Sequence, residues 1–112
     1  MASSMDQLRW SDAEKKIARR AFEKALHQEL DEVIHEVKEM ARDIKEPPDL
    51  WKLEDYLTRR RKAIDSTYDY RYSQLPIVFG QLARKGQIRL EDLQGLGEEK
   101  LSYVRFIAGQ GK

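Results

Sequence analysis

The chain has 112 residues, of which 37% are charged and 40% hydrophobic, with a mean hydropathy of -0.78. Its 21 basic and 20 acidic residues leave a net charge of +1, so no global field draws it to nucleic acid or an anionic membrane. The absence of cysteine excludes disulfides and thiolate chemistry and suits the cytosol. No apolar run approaches the ~20 residues of a spanning helix, and Met1 to Trp10 lacks the apolar region of a signal peptide.

In chain order, Met1 to Arg9 is polar and small and is expected to fray. Ser11-Asp12-Ala13-Glu14 has the spacing of a capping box, in which the Ser11 hydroxyl and the Glu14 carboxylate each accept from the other residue's N–H. A helix is then predicted over about 11–45, since neither Gly nor Pro interrupts it and Ala, Glu, Lys, Leu and Arg dominate. Leu26, Leu30, Val33, Val37, Met40 and Ile44 step by four and three, the repeat of a coiled-coil seam, and Ile34 and Ala41 widen the stripe. Such a helix would be ~50 Å long, which exceeds the diameter of a compact chain of this size and predicts an elongated molecule.

Glu46-Pro47-Pro48-Asp49 stops that helix, and Asp49 is placed to cap the next, expected over 49–84. Pro76 should kink it or start a new helix near Gln74. In Tyr68-Asp69-Tyr70-Arg71-Tyr72, helical spacing puts positions 68 and 72 in the core and 70 on the far face. Arg84-Lys85-Gly86 reads as a helix end, with cations in the last turn and Gly at C′. Leu90 to Leu93 and Glu98 to Ile107 form a small helical cap. The expected architecture is all-α: an antiparallel helical hairpin and a C-terminal cap within one domain, residues 1–112. A tail spans 1–10, a stalk and dimer seam 11–75, and a head 76–112. Each hairpin helix has one apolar stripe, and two helices alone shelter little. Two hairpins in an isologous homodimer would give a four-helix arrangement, with Leu50, Leu53 and Leu57 at the interface.

Leu50, Leu53, Leu57 and Ile64 share one helical face, while Trp51 and Asp55 are i, i+4 neighbours off that face and Arg61 lies between the groups. An indole beside a carboxylate and a guanidinium has the composition of a protein-binding hot spot; the plainer reading is that Trp51 covers the end of a neighbouring helix. Other chemistry is poorly represented. His27, Asp31 and His35 align at i, i+4, i+8, but only one Glu-x-x-His word exists where a di-metal bundle needs two. No catalytic residue, metal site or cofactor is assigned, and an enzyme is not expected. Arg59-Arg60-Arg61-Lys62 points in four directions on a helix, beside Asp55, Asp65 and Asp69. Leu93-Gln94-Gly95-Leu96-Gly97 matches a helix-hairpin-helix turn, whose N–H groups would hold a DNA phosphate with help from Lys100. Glu91, Asp92, Glu98 and Glu99 surround that turn, so nucleic acid is not the expected partner.

Asp49-Leu50-Trp51-Lys52-Leu53, Asp55, Leu57, Arg61, Ile64-Asp65, Tyr68-Asp69, Arg71, Val78-Phe79, Gln81-Leu82, Gly86 and Glu91-Asp92-Leu93 together resemble the fluorescence recovery protein family, over about Trp10 to Ile107. The resemblance implies a small helical dimer, free of cofactor, that binds the C-terminal domain of the orange carotenoid protein. It implies that the protein speeds the return of that partner from its red to its orange form, which ends photoprotective quenching. The location implied is cytoplasmic, at the thylakoid surface in a cyanobacterium, without membrane insertion. Trp51, Asp55 and Arg61 match the family's partner-binding residues, and Leu50 matches a dimer-interface residue. Glu54, beside Asp55, stands where the family has histidine. Ile77 and Tyr103 stand on the head where it has an aromatic and a lysine associated with activity. Two alternatives stay open: a family member with a different protein partner, and a helix-hairpin-helix DNA binder.

Overall fold

The capping box forms as spaced. In the computed structural model, which describes residues 8–109, the Ser11 N–H donates to Glu14 Oε1 at 2.9 Å and the Glu14 N–H to Ser11 Oγ at 3.1 Å. Helix α1 runs from there over Asp12–Arg42. The two prolines begin helix α2, Pro47–Thr67. The cap differs in one detail: Asp49 sits in the first turn, and its carboxylate reaches back to accept from the N–H groups of Lys45 and Glu46, both at 3.0 Å. Those two bonds satisfy backbone donors in the tight connection and hold the Asp49 carboxyl below its usual range.

The helix expected over 49–84 is two helices. Helix α2 ends at Thr67, residues 68–74 are irregular, and α3 spans Leu75–Arg84 with Pro76 in its first turn. Proline lacks the N–H that a continuous helix would need there, so the break falls just before it. The break also changes the tyrosines. Tyr70 is not on a far face; its ring meets Phe22 edge-on at 4.8 Å, and Phe22 also meets Tyr68 at 5.4 Å. Outside a helix the 100° spacing no longer applies: 68–70 are irregular and 72 lies in a turn closed by the Gln74 N–H on the Arg71 carbonyl at 2.8 Å, so 68, 70 and 72 can all pack inward.

Helix α3 ends in a Schellman motif. The Gln87 N–H donates to the Leu82 carbonyl at 2.8 Å and the Gly86 N–H to that of Ala83 at 3.1 Å, with Gly86 at φ 78°. A 3-10 turn at Leu90–Leu93 leads to helix α4, Glu98–Gly109. Helices α3 and α4 approach closely at Gly80, where an added Cβ would stand 2.6 Å from Ile107 Cγ2. That contact explains a glycine inside an apolar helix.

The core lies where α3, α4 and the 3-10 turn meet the first half of α1. Ala18, Ala25, Leu75, Phe79, Leu82, Leu93 and Val104 have no exposed surface. The first half of α1 therefore belongs to the head, and its second half pairs with α2 as the stalk. Arg9 and Trp10, expected in a loose tail, are held: the Arg9 carbonyl accepts from Lys100 Nζ at 2.5 Å, and Trp10 packs 5.3 Å from the Tyr72 ring. Residues 1–7 of that tail lie outside the described residues. The molecule is elongated, with extents of 59 × 25 × 23 Å. Among the described residues the chain is all-helical, and no helix is long and apolar enough to cross a membrane.

Candidate partner-binding face

Helix α2 is the more open of the two stalk helices. Ile64 is its only buried residue; Leu53 is half-buried, and Leu50 and Leu57 are 48% and 42% exposed. Across from them on α1, Val33 is buried while Leu30 and Ile34 stand 42% and 51% exposed. The predicted stripes thus form, but one hairpin covers only part of each.

Trp51 is 62% exposed, so it does not seal a neighbouring helix end. The other tryptophan, Trp10, packs into the head. Asp55 and Glu54 are exposed, and Asp55 makes no ion pair with Arg59 within 4 Å among the described residues. Arg61 Nε lies 3.8 Å from Asp65 Oδ2, and these side chains are 85% and 72% exposed, so solvent screens the pair heavily. Helical geometry places Asp55 about 6 Å along the axis from Trp51, and Arg61 about 15 Å along and a quarter-turn round. The three residues thus mark a long strip that only a macromolecular partner could span. Ile77 and Tyr103 are half-buried on α3 and α4, at the other end of the molecule. About 24 Å of helix separates Trp51 from Thr67, where the chain enters the head. The structure brings Trp51, Glu54 and Asp55 together and leaves the head pair apart from them.

The helix-hairpin-helix turn is already occupied. The Gly97 N–H donates to Glu14 Oε2 at 2.7 Å, and Lys100 Nζ lies 3.2 Å from the same oxygen. Lys100 is buried, and its ammonium also stands 5.0 Å from the Trp10 ring centroid. The donors that a DNA phosphate would need hold a carboxylate of the chain itself. His27 Nε2 and Asp31 Oδ2 are 3.8 Å apart on an open helix face, and no cluster among the described residues has a metal-binding arrangement.

One group escaped the sequence reading. Glu29 is 7% exposed at the junction of stalk and head. It accepts from Arg60 Nη2 at 3.1 Å and from the Tyr68 hydroxyl at 2.7 Å. Burial and the Glu29 hydrogen bond together push the Tyr68 phenol far above its usual range. A signal existed in the sequence. Glu29 stands in the row of Phe22, Ala25, Leu26 and Val33, where an apolar residue is expected.

Comparison with known proteins fits this helical architecture. Residues 10–108 match the photoprotection regulator fluorescence recovery protein family. The fluorescence recovery protein of Synechocystis sp. is 39% identical over 99 residues, which cover 88% of this chain and 91% of that protein. Two solved structures, the fluorescence recovery proteins of Fremyella diplosiphon and of Synechocystis sp., each give a TM-score of 0.85. They are 38% and 39% identical, covering 89% of this chain and 98% of theirs. The fold thus belongs to a class of small, all-helical photoprotection regulators. The chain is a member of the fluorescence recovery protein family.

Proposed function

We propose that the chain is a dimeric, non-enzymatic modulator of the orange carotenoid protein. It binds that protein's C-terminal domain through Trp51, Asp55 and Arg61 and speeds the return from red to orange. The observation that carries the reading is the 62% exposure of Trp51, on a helix whose other apolar residues turn toward α1 or a dimer seam. A rigid indole left in solvent offers a large contact area at little entropic cost, and the flanking charges fix orientation through charge-assisted bonds. The open leucines Leu50 and Leu57, with Leu30 and Ile34, support a second copy of this chain as the occupant of the stalk face, since each copy brings a matching stripe.

The test is Trp51→Ala and Arg61→Ala against the isolated C-terminal domain. Each should weaken binding by ~1–2 kcal/mol and slow recovery in step, with helicity and melting temperature unchanged. A fall of ~3 kcal/mol in fold stability for Trp51→Ala would make it a packing residue and defeat the assignment. A stable wild type that does not bind the domain would favour a different protein partner. Glu54 supports that second reading, because it puts a second exposed carboxylate beside Asp55 and alters the charge of the strip.

A further inference from the structure

Four cations crowd the start of α1. Lys15 and Arg19, and Lys16 and Arg20, are each i, i+4 neighbours, and all four side chains are exposed. Like charges at that spacing oppose the helix, and cations near its positive end oppose it further. The four residues line a groove of about 410 Å³ with the rings of Tyr70 and Tyr72. The Arg19 guanidinium carbon lies 4.1 Å from the Tyr70 ring centroid, and Lys15 Nζ lies 5.5 Å from that of Tyr72. The Tyr70 hydroxyl oxygen is buried with no partner in hydrogen-bonding geometry. Glu23 is the one carboxylate of this lining, 3.8 Å from Arg19, and both side chains are more than half exposed. Four cations less one carboxylate give the lining a charge of +3, on a chain whose total is +1.

We propose that this groove is a second protein-docking site, built for an acidic, extended polypeptide segment. The cations supply the complementary charge, and the two guanidiniums can each grip a carboxylate through paired hydrogen bonds. The tyrosine rings give a flat apolar floor to the chain that carries those carboxylates. The surroundings select a narrow occupant. Arg20 also borders a groove with Glu91 and Asp92, and Glu98 and Glu99 are exposed at the start of α4. A bilayer or a nucleic-acid duplex would press its negative charge on these carboxylates as well, whereas a single acidic strand in the groove meets four cations and the one carboxylate of Glu23. The groove lies about 30 Å along α1 from the level of Trp51, so it is independent of the strip on α2.

Titration of the isotope-labelled protein with a hexaglutamate peptide tests this by amide shift perturbation. The shifts should concentrate at residues 15–20 and 70–72. Lys16→Glu with Arg20→Glu should weaken binding about tenfold, while the reversal of Lys38 and Lys45 to Glu should weaken it less than about twofold. Lys16→Glu alone carries a further signature. It turns the repulsion with Arg20 into attraction but sets a second carboxylate four residues from Asp12, so melting temperature should stay nearly unchanged while peptide affinity falls. A merely structural role would lower melting temperature and affinity together. The proposal is overturned by absence of peptide binding, by equal loss in the two double reversals, or by tighter binding of phosphatidylserine vesicles or duplex DNA than of the peptide at equal salt.

Discussion

The head buries Phe79, Leu75, Leu82, Leu93 and Val104 completely, whereas the far half of the stalk leaves Leu50, Trp51 and Leu57 between 42% and 62% exposed. The difference lies in how many elements meet. In the head, α3, α4, the 3-10 turn and α1 enclose a common volume. In the stalk only two helices touch, and a helix pair has no third side to cover its stripes. The head is therefore the part of the fold that one chain completes, while the stalk keeps an exposed apolar stripe.

The most damaging way to probe that contrast is Phe79→Ala. It should remove ~3–5 kcal/mol of stability, read by denaturant unfolding, because the site is enclosed and cannot collapse. The same truncation at Leu57 should have little effect on a dilute monomer. Equal losses at the two sites would end the comparison. Next in size is Leu50→Glu. Its effect should fall on assembly, weakening a homodimer about 100-fold or more in sedimentation, since a carboxylate would be buried unpaired. The head should remain folded, with its aromatic near-ultraviolet signal unchanged. A stable wild-type monomer at micromolar concentration would show that the stalk needs no second copy.

A finer probe sits at the junction of the two regions. Tyr68→Phe removes one of the two donors to Glu29 and should destabilise the fold by ~1–2 kcal/mol. Glu29→Ala should have the larger effect of the two, because it strands the Arg60 guanidinium, whose Nε is already buried without a partner. If neither change alters stability, stalk and head are not coupled through this cluster.

Elements with a local cause were legible in the sequence. The capping box at Ser11, the stop at Pro47 and the helix end at Gly86 all follow from neighbours a few residues apart, and each formed, whereas α1 ends at Arg42 and leaves Ile44 of its apolar repeat outside the helix. The exposed Trp51 beside Asp55 was also visible as a misplaced indole on a helix flank. Contacts between distant segments were not. Tyr70 was read at helical spacing, and only the tertiary break before Pro76 turns it inward onto Phe22. The turn at Gly95 to Gly97, with Lys100, matches a phosphate-holding pattern that its acidic neighbours disfavour, but nothing local shows that Glu14, 86 residues from Lys100, already occupies it. Glu29 carried a faint signal, but its partners Arg60 and Tyr68 are 31 and 39 residues away. The exposure of Trp51 on α2 was readable because an exposed residue owes little to the rest of the fold.

The smallest expected effect concerns acid, and it separates head from stalk by pH. Burial raises the affinity of Glu14 for a proton, but the N–H groups of Ser11 and Gly97 and the ammonium of Lys100 outweigh it and hold its carboxyl below the usual 4.5. In the unfolded chain the carboxyl returns to that ordinary value and takes up its proton first as pH falls. The unfolded state then binds more protons than the folded one, so stability declines with falling pH. Glu14 therefore stabilises the fold fully above about pH 4.5, and that contribution fades as pH drops below it. Asp92 behaves alike, held down by the Arg89 N–H and by Lys24. Glu14→Gln removes the charge facing Lys100 and keeps one carbonyl oxygen, enough for one of the two backbone donors, as does the protonated carboxyl. Its melting temperature should lie below that of the wild type at neutral pH and converge with it as pH falls through this window. The convergence should appear in the near-ultraviolet signal of the head, where Trp10 packs. An acid limb identical in variant and wild type would show that Glu14 does not bind the start of α1 to the turn before α4.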